Sequence, residues 1–122
     1  MKIITLLSCI DGRFQVPLTE YLLNKYDGYI VDKITYPGMD KVFSHDFINE
    51  QEFIKSSIEI SFSRGSNSIY LMGHSDCTGN VLSDELHLIE VKNSIENLKK
   101  LYKGVKVIGL FIDLDYNVIE IE

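Results

Sequence analysis

Strand-like and helix-like patterns alternate along the whole chain, and that alternation limits the fold more than any other feature. Residues 2–8 form a short apolar, β-branched run, and the loop-like stretch Cys9-Ile10-Asp11-Gly12-Arg13 follows. Residues 17–26 read as a first helix. Pro17 suits the opening turn, Leu18, Tyr21, Leu22 and Tyr26 share a face, and Gly28 ends it. Residues 29–35 read as a second strand, stopped by Tyr36-Pro37-Gly38. A second helix then has Ser44, Asp46 or Asn49 as its N-cap, with Phe47, Ile54, Ile58 and Phe62 on one stripe and Gly65 at its close. Residues 68–73 form a third strand.

The third helix is the clearest element. Ser83 or Asp84 caps it, and Leu88, Val91, Ile95, Leu98 and Tyr102 recur at steps of three and four. Lys99, Lys100 and Lys103 complement its carbonyl end, ahead of Gly104. Residues 105–112 are a fourth strand. A turn near Asp115 and Asn117 leads to a fifth, 118–121, whose polar alternation suits an antiparallel edge. The expected fold is α/β: about four parallel strands plus an antiparallel C-terminal edge strand, with right-handed crossovers and helices on both faces. At 122 residues the expectation is one domain spanning 1–122.

Composition narrows the partners. The formal net charge is −6, which disfavours a phosphate-backbone partner and so excludes nucleic acid. The Tyr and Phe residues fall on helix faces and strands, where packing accounts for them. No apolar run approaches a membrane span, and Met1-Lys2-Ile3-Ile4-Thr5 does not resemble a secretory leader. A cytoplasmic location is expected, where two cysteines point to metal or catalysis before a structural disulfide.

Cys9 directly follows the first strand, His74 follows the third, and Cys77 lies three residues on. If those strands are parallel, all three gather at the carboxyl-end edge, where open α/β sheets bind ligands. Two thiolates and an imidazole are good zinc ligands and leave a fourth position open. A redox disulfide between the cysteines and simple packing are the alternatives. Asp11 and Arg13 alternate with Cys9, so an extended segment turns all three toward one pocket. An arginine fork keeps a carboxylate ionised, and such a carboxylate beside a zinc-bound water orients the resulting hydroxide. His45 and His87 lie near helix starts among polar residues and are expected to be exposed. Asp76, between two candidate ligands, is expected to cap the following turn, with contact to the surroundings of a ligand as the alternative.

Cys9-Ile10-Asp11-Gly12-Arg13 resembles the Cys-x-Asp-x-Arg motif of the β-class carbonic anhydrases. Gly73-His74-Ser75-Asp76-Cys77 resembles their His-x-x-Cys motif, in the same order and at the same strand ends. The resemblance covers most of the chain and implies a zinc enzyme hydrating carbon dioxide to bicarbonate. It implies Cys9, His74 and Cys77 as zinc ligands and Asp11 with Arg13 as the catalytic dyad, with Asp11 able to close the zinc site when released. It also implies a homodimer with two-fold symmetry. Three features depart from the family pattern: the first strand begins at residue 3 of this sequence where the family commonly has an N-terminal helical arm, residues 32–38 replace the usual Arg-Asn-Ala-like segment, and Thr78 precedes Gly79 where glycine usually follows the cysteine. Gln15 is the candidate for the glutamine lining the family's pocket. The alternative function is a zinc-binding module of this fold without hydratase activity, or one acting on a small electrophile such as carbon disulfide or carbonyl sulfide.

Overall fold

The computed structural model describes residues 1–122. Five strands, β1 (Ile3–Ser8), β2 (Ile30–Thr35), β3 (Ser68–His74), β4 (Lys106–Ile112) and β5 (Val118–Ile121), form one sheet in the order β2-β1-β3-β4-β5. The first four run parallel, and β5 returns antiparallel against β4, as the alternation predicts. β1 and β3 are buried along their entire length. Central parallel strands are covered on both faces, which explains why they read as unbroken apolar runs. β2 pairs only with β1 and is half-exposed, so it forms one edge of the sheet.

Four helices cover the two faces: α1 (Gln15–Lys25), α2 (Met39–Val42), α3 (Ile48–Ser63) and α4 (Asp84–Leu101). Successive side chains of a strand point to opposite faces. On β3, Ile69 and Leu71 join a core layer with Met39, Val42, Ile54, Ile58, Val91, Ile95 and Leu98, so α2, α3 and α4 share one face. Tyr70 and Met72 enter the other layer, with Phe14, Leu18 and Leu22 of the α1 side. Each fully buried Leu, Ile, Phe or Val contributes about 1.5–3 kcal/mol.

Several local expectations are corrected. A short 3-10 turn, Gly12–Phe14, precedes α1, which therefore starts two residues before Pro17. α2 is a four-residue helix that no periodicity announces. α3 begins at Ile48 behind Phe47 with no side-chain cap, so Ser44, Asp46 and Asn49 do not play that part. Ser83 does cap α4, its hydroxyl accepting from the Leu86 amide.

The layer arrangement positions the site. The chain leaves β1 through α1 on one face and reaches β3 and β4 through helices on the other. The neighbours β1 and β3 therefore flank the point where the winding reverses, and a crevice opens beyond their carboxyl ends. Leu7 of β1 pairs with Leu71 of β3, so Cys9 and His74 end up close together there.

Candidate metal centre

Cys9, His74 and Cys77 converge at this crevice, all buried, with their ligand atoms within 4.8 Å of one another. The two sulfurs are 3.9 Å apart and both thiols are free. A disulfide requires about 2.05 Å. Two sulfurs at about 2.3 Å from a tetrahedral zinc ion stand about 3.8 Å apart, so the observed spacing fits a shared metal. His74 supplies an independent sign. Its Nδ1 lies 2.7 Å from the Ser75 carbonyl, while its Nε2 is buried without any hydrogen-bond partner. A carbonyl against Nδ1 fixes the proton there and leaves Nε2 as a bare lone pair, the usual tautomer of a metal-binding histidine. Phe14 packs on the His74 ring at a centroid distance of 4.5 Å.

Main-chain N–H groups surround the sulfurs. Gly38 donates to Cys9 Sγ at 3.4 Å, and the Gly79 and Asn80 amides face Cys77. The hydrogen bond from Cys77 holds the Cys9 thiol well below its usual range, against burial and with help from His74 and the Gly38 and Asp11 amides. The same sharing pushes the Cys77 thiol up, and burial adds to it. Burial alone would lower His74, but its contact with Cys9 and the Ser75 carbonyl raise it. Only deprotonated sulfurs bind a divalent metal, so metal binding at this pair would release protons.

Arg13 grips Asp11 as a fork. Nε lies 3.1 Å from Oδ1 and Nη2 2.7 Å from Oδ2, and the Arg13 amide also donates to Oδ1 at 3.0 Å. These bonds hold the Asp11 carboxyl below the usual carboxylate range. Asp76 does not cap a turn. It sits at a left-handed φ of 55° and accepts from Arg13 through its carboxylate (3.1 Å) and its carbonyl (2.9 Å), tying the two motif loops together. Cys9, Ile10, Asp11, Pro37, Thr78 and Gly79 line a cleft of about 320 Å³ at this centre. Gln15 is not among its walls. Its side chain instead donates to the carbonyls of Cys9 (2.9 Å) and Asp11 (3.2 Å), bracing the first motif from behind.

A family described as "Putative carbonic anhydrase" matches residues 1–122, the entire chain. The chain belongs to this family. No curated protein matches it. Within this carbonic anhydrase family member, a buried Cys-His-Cys group able to hold a metal lies beside the arginine-clamped carboxylate.

One buried group escaped the sequence reading. His87 is fully buried, not exposed: its Nδ1 bonds Asp40 Oδ2 at 2.6 Å, and its ring stacks on His74 at 6.4 Å and 15°. The available signal was spacing, since His87 lies four residues before Val91 on the buried stripe of α4. His45 is the exposed histidine of the two, bonded to Glu90 at 2.8 Å.

Proposed function

We propose that the protein is a zinc-dependent carbonic anhydrase interconverting carbon dioxide and bicarbonate, a single catalytic domain over 1–122. The observation that carries this reading is the buried Cys9, His74, Cys77 trio, whose Cys9 lines one cleft with Asp11, the carboxylate that Arg13 clamps. When bound, zinc supplies Lewis acidity that brings a water's pKa down to about 7, making a nucleophile at neutral pH. Cys9 and Cys77 would hold the ion with two thiolates whose charge balances it, and His74 would hold it through Nε2. Arg13 occupies both oxygens of Asp11, keeping the carboxylate ionised and purely accepting. Asp11 thus takes a hydrogen bond from the attacking water and orients its free lone pair into the cleft. Ile10 and Pro37 give the cleft hydrocarbon walls that suit an apolar triatomic substrate.

The thiols must stay reduced to bind metal, which favours the cytoplasm, and no helix is long and apolar enough to cross a membrane. A two-fold homodimer would cover the exposed β2 edge and exposed apolar side chains such as Val81 and Ile10. Light scattering should give twice the 14.0 kDa chain mass; a monomer at micromolar concentration would remove the dimer. The functional test is metal analysis of reduced protein followed by a carbon dioxide hydration assay. About one zinc per chain with hydration above buffer is expected. Zinc without hydration would leave the zinc-binding module, and no zinc would overturn the reading.

A further inference from the structure

Beneath the cleft lies a polar network that no sequence motif marks. Asp40, on α2, is 1% exposed. Its Oδ2 binds His87 Nδ1 at 2.6 Å, and its Oδ1 accepts from Asn80 Nδ2 at 3.0 Å. Its main-chain carbonyl accepts from Ser94 at 2.9 Å. A buried carboxylate is costly unless each oxygen is hydrogen-bonded, and here both oxygens have a partner. The carboxylate reaches β3 only because residue 73 is glycine: a Cβ there would meet Asp40 Oδ2 at 2.9 Å.

The partners of Asp40 are themselves neighbours of the three candidate ligands. Asn80 presents its amide to Cys77 while its side chain is held by Asp40. Gly38, two residues before Asp40 and N-cap of the same short helix, donates its amide to Cys9. Gly38 and Gly79 are pressed together so closely that a Cβ on Gly38 would lie 2.6 Å from the Gly79 carbonyl oxygen, and Lys41 binds that oxygen at 2.7 Å. His87 stacks on the ring of His74.

Resting on the metal-centre reading, we propose that Asp40 is the positioning residue of that centre. It locks α2, the 77–80 loop and His87 together, so that the N–H groups facing both sulfurs and the ring facing His74 are held in place before metal arrives. Partners of this kind orient ligands and tune their basicity, and their loss costs roughly 10- to 100-fold in metal affinity. Asp40 touches neither metal nor substrate, so its effect acts through Asn80, Gly38 and His87.

The experiment measures zinc affinity by chelator competition and the sulfur-to-cobalt charge-transfer bands of the cobalt-loaded protein. It compares wild type, Asp40→Asn, Asn80→Ala and Ser94→Ala. Asp40→Asn should bind zinc roughly 10- to 100-fold more weakly and shift the cobalt bands. Asn80→Ala lies in a loop and tests the same link should Asp40→Asn not fold; it should weaken zinc in the same direction. Ser94→Ala removes a bond to the Asp40 backbone but leaves the carboxylate's partners, so it should keep wild-type affinity and spectrum. Unchanged affinity in a folded Asp40→Asn or in Asn80→Ala, with wild type binding zinc, overturns this inference alone. Equal loss in Ser94→Ala also overturns it, because packing would then explain the effect. A wild type that binds no zinc overturns the metal centre as well.

Discussion

Gly38→Ala puts the close approach of the Pro37-Gly38 turn to the loop that follows Cys77 under direct test. Gly38 has φ of 65°, where an L side chain costs about 1–2 kcal/mol. Its new Cβ would meet Gly79 O at 2.6 Å, Gly79 C at 2.7 Å and Asn80 Cβ at 2.8 Å. Two of these are backbone atoms that cannot rotate away, so relief requires the 77–80 loop to move. Overpacking of this kind adds about 1–3 kcal/mol, for a total of about 2–5 kcal/mol. A chain of this length loses about 4 °C in Tm per kcal/mol, so thermal unfolding of the metal-free protein should fall by about 8–20 °C. Gly104→Ala is the matched control. Gly104 has φ of 83° but open space around its missing Cβ, so it should lose only the backbone part, about 1–2 kcal/mol. The shifted loop also carries the amides facing Cys77, so zinc affinity should drop in Gly38→Ala and stay unchanged in Gly104→Ala. Equal unfolding temperatures for the two variants, with equal zinc affinity, would refute the contact's importance.

Other expectations are briefer. Asp11→Asn should keep zinc by metal analysis but lose roughly 10²-fold or more in hydration rate, because an amide no longer offers a purely accepting partner; wild-type turnover would sink the role given to Asp11. Arg13→Ala should lower activity with zinc retained, as Asp11 is freed from both its oxygens' partner; full activity would mean the clamp is dispensable. Cys77→Ser should lose metal itself, seen as weakened zinc retention on dialysis, and undiminished retention would remove Cys77 from the ligand set. Asp113 has its carboxyl held below the usual range by the Asn117 amide first, with the Asn117 side chain and the Asp115 amide adding to it. A depressed folded value means its stabilising share is complete above the unfolded pKa and lost as pH falls through the folded one. An NMR titration should therefore place its midpoint below about 3.9, and a midpoint at or above that would contradict the turn's hydrogen bonds.

The strands were legible because each carries a compact β-branched or apolar run between turn residues, and the order of strands and helices followed from them. α4 was legible through its long stripe and its Ser83 cap. α2 was not, since four residues hold barely one turn and show no period. The start of α3 was misread because polar residues capable of capping lie nearby, whereas packing of Phe47 against the core accompanies a start without a cap. At the site, Cys9, His74 and Cys77 could be gathered from strand ends alone, and Asp11 with Arg13 from local alternation. Asp76's hold on Arg13 and Asp40's hold on His87 span 63 and 47 residues. Pairings of that separation leave no local pattern, so a polar setting made His87 look exposed when a distant carboxylate had buried it.

Stopped-flow hydration of carbon dioxide, run on the same preparation before and after zinc loading, tests the central claim most directly. A metal-dependent rate is predicted, absent in the zinc-free protein and rising with pH through about 7, where a metal-activated water ionises. A chain loaded with one zinc that hydrates carbon dioxide no faster than buffer between about pH 6 and 9 would contradict it.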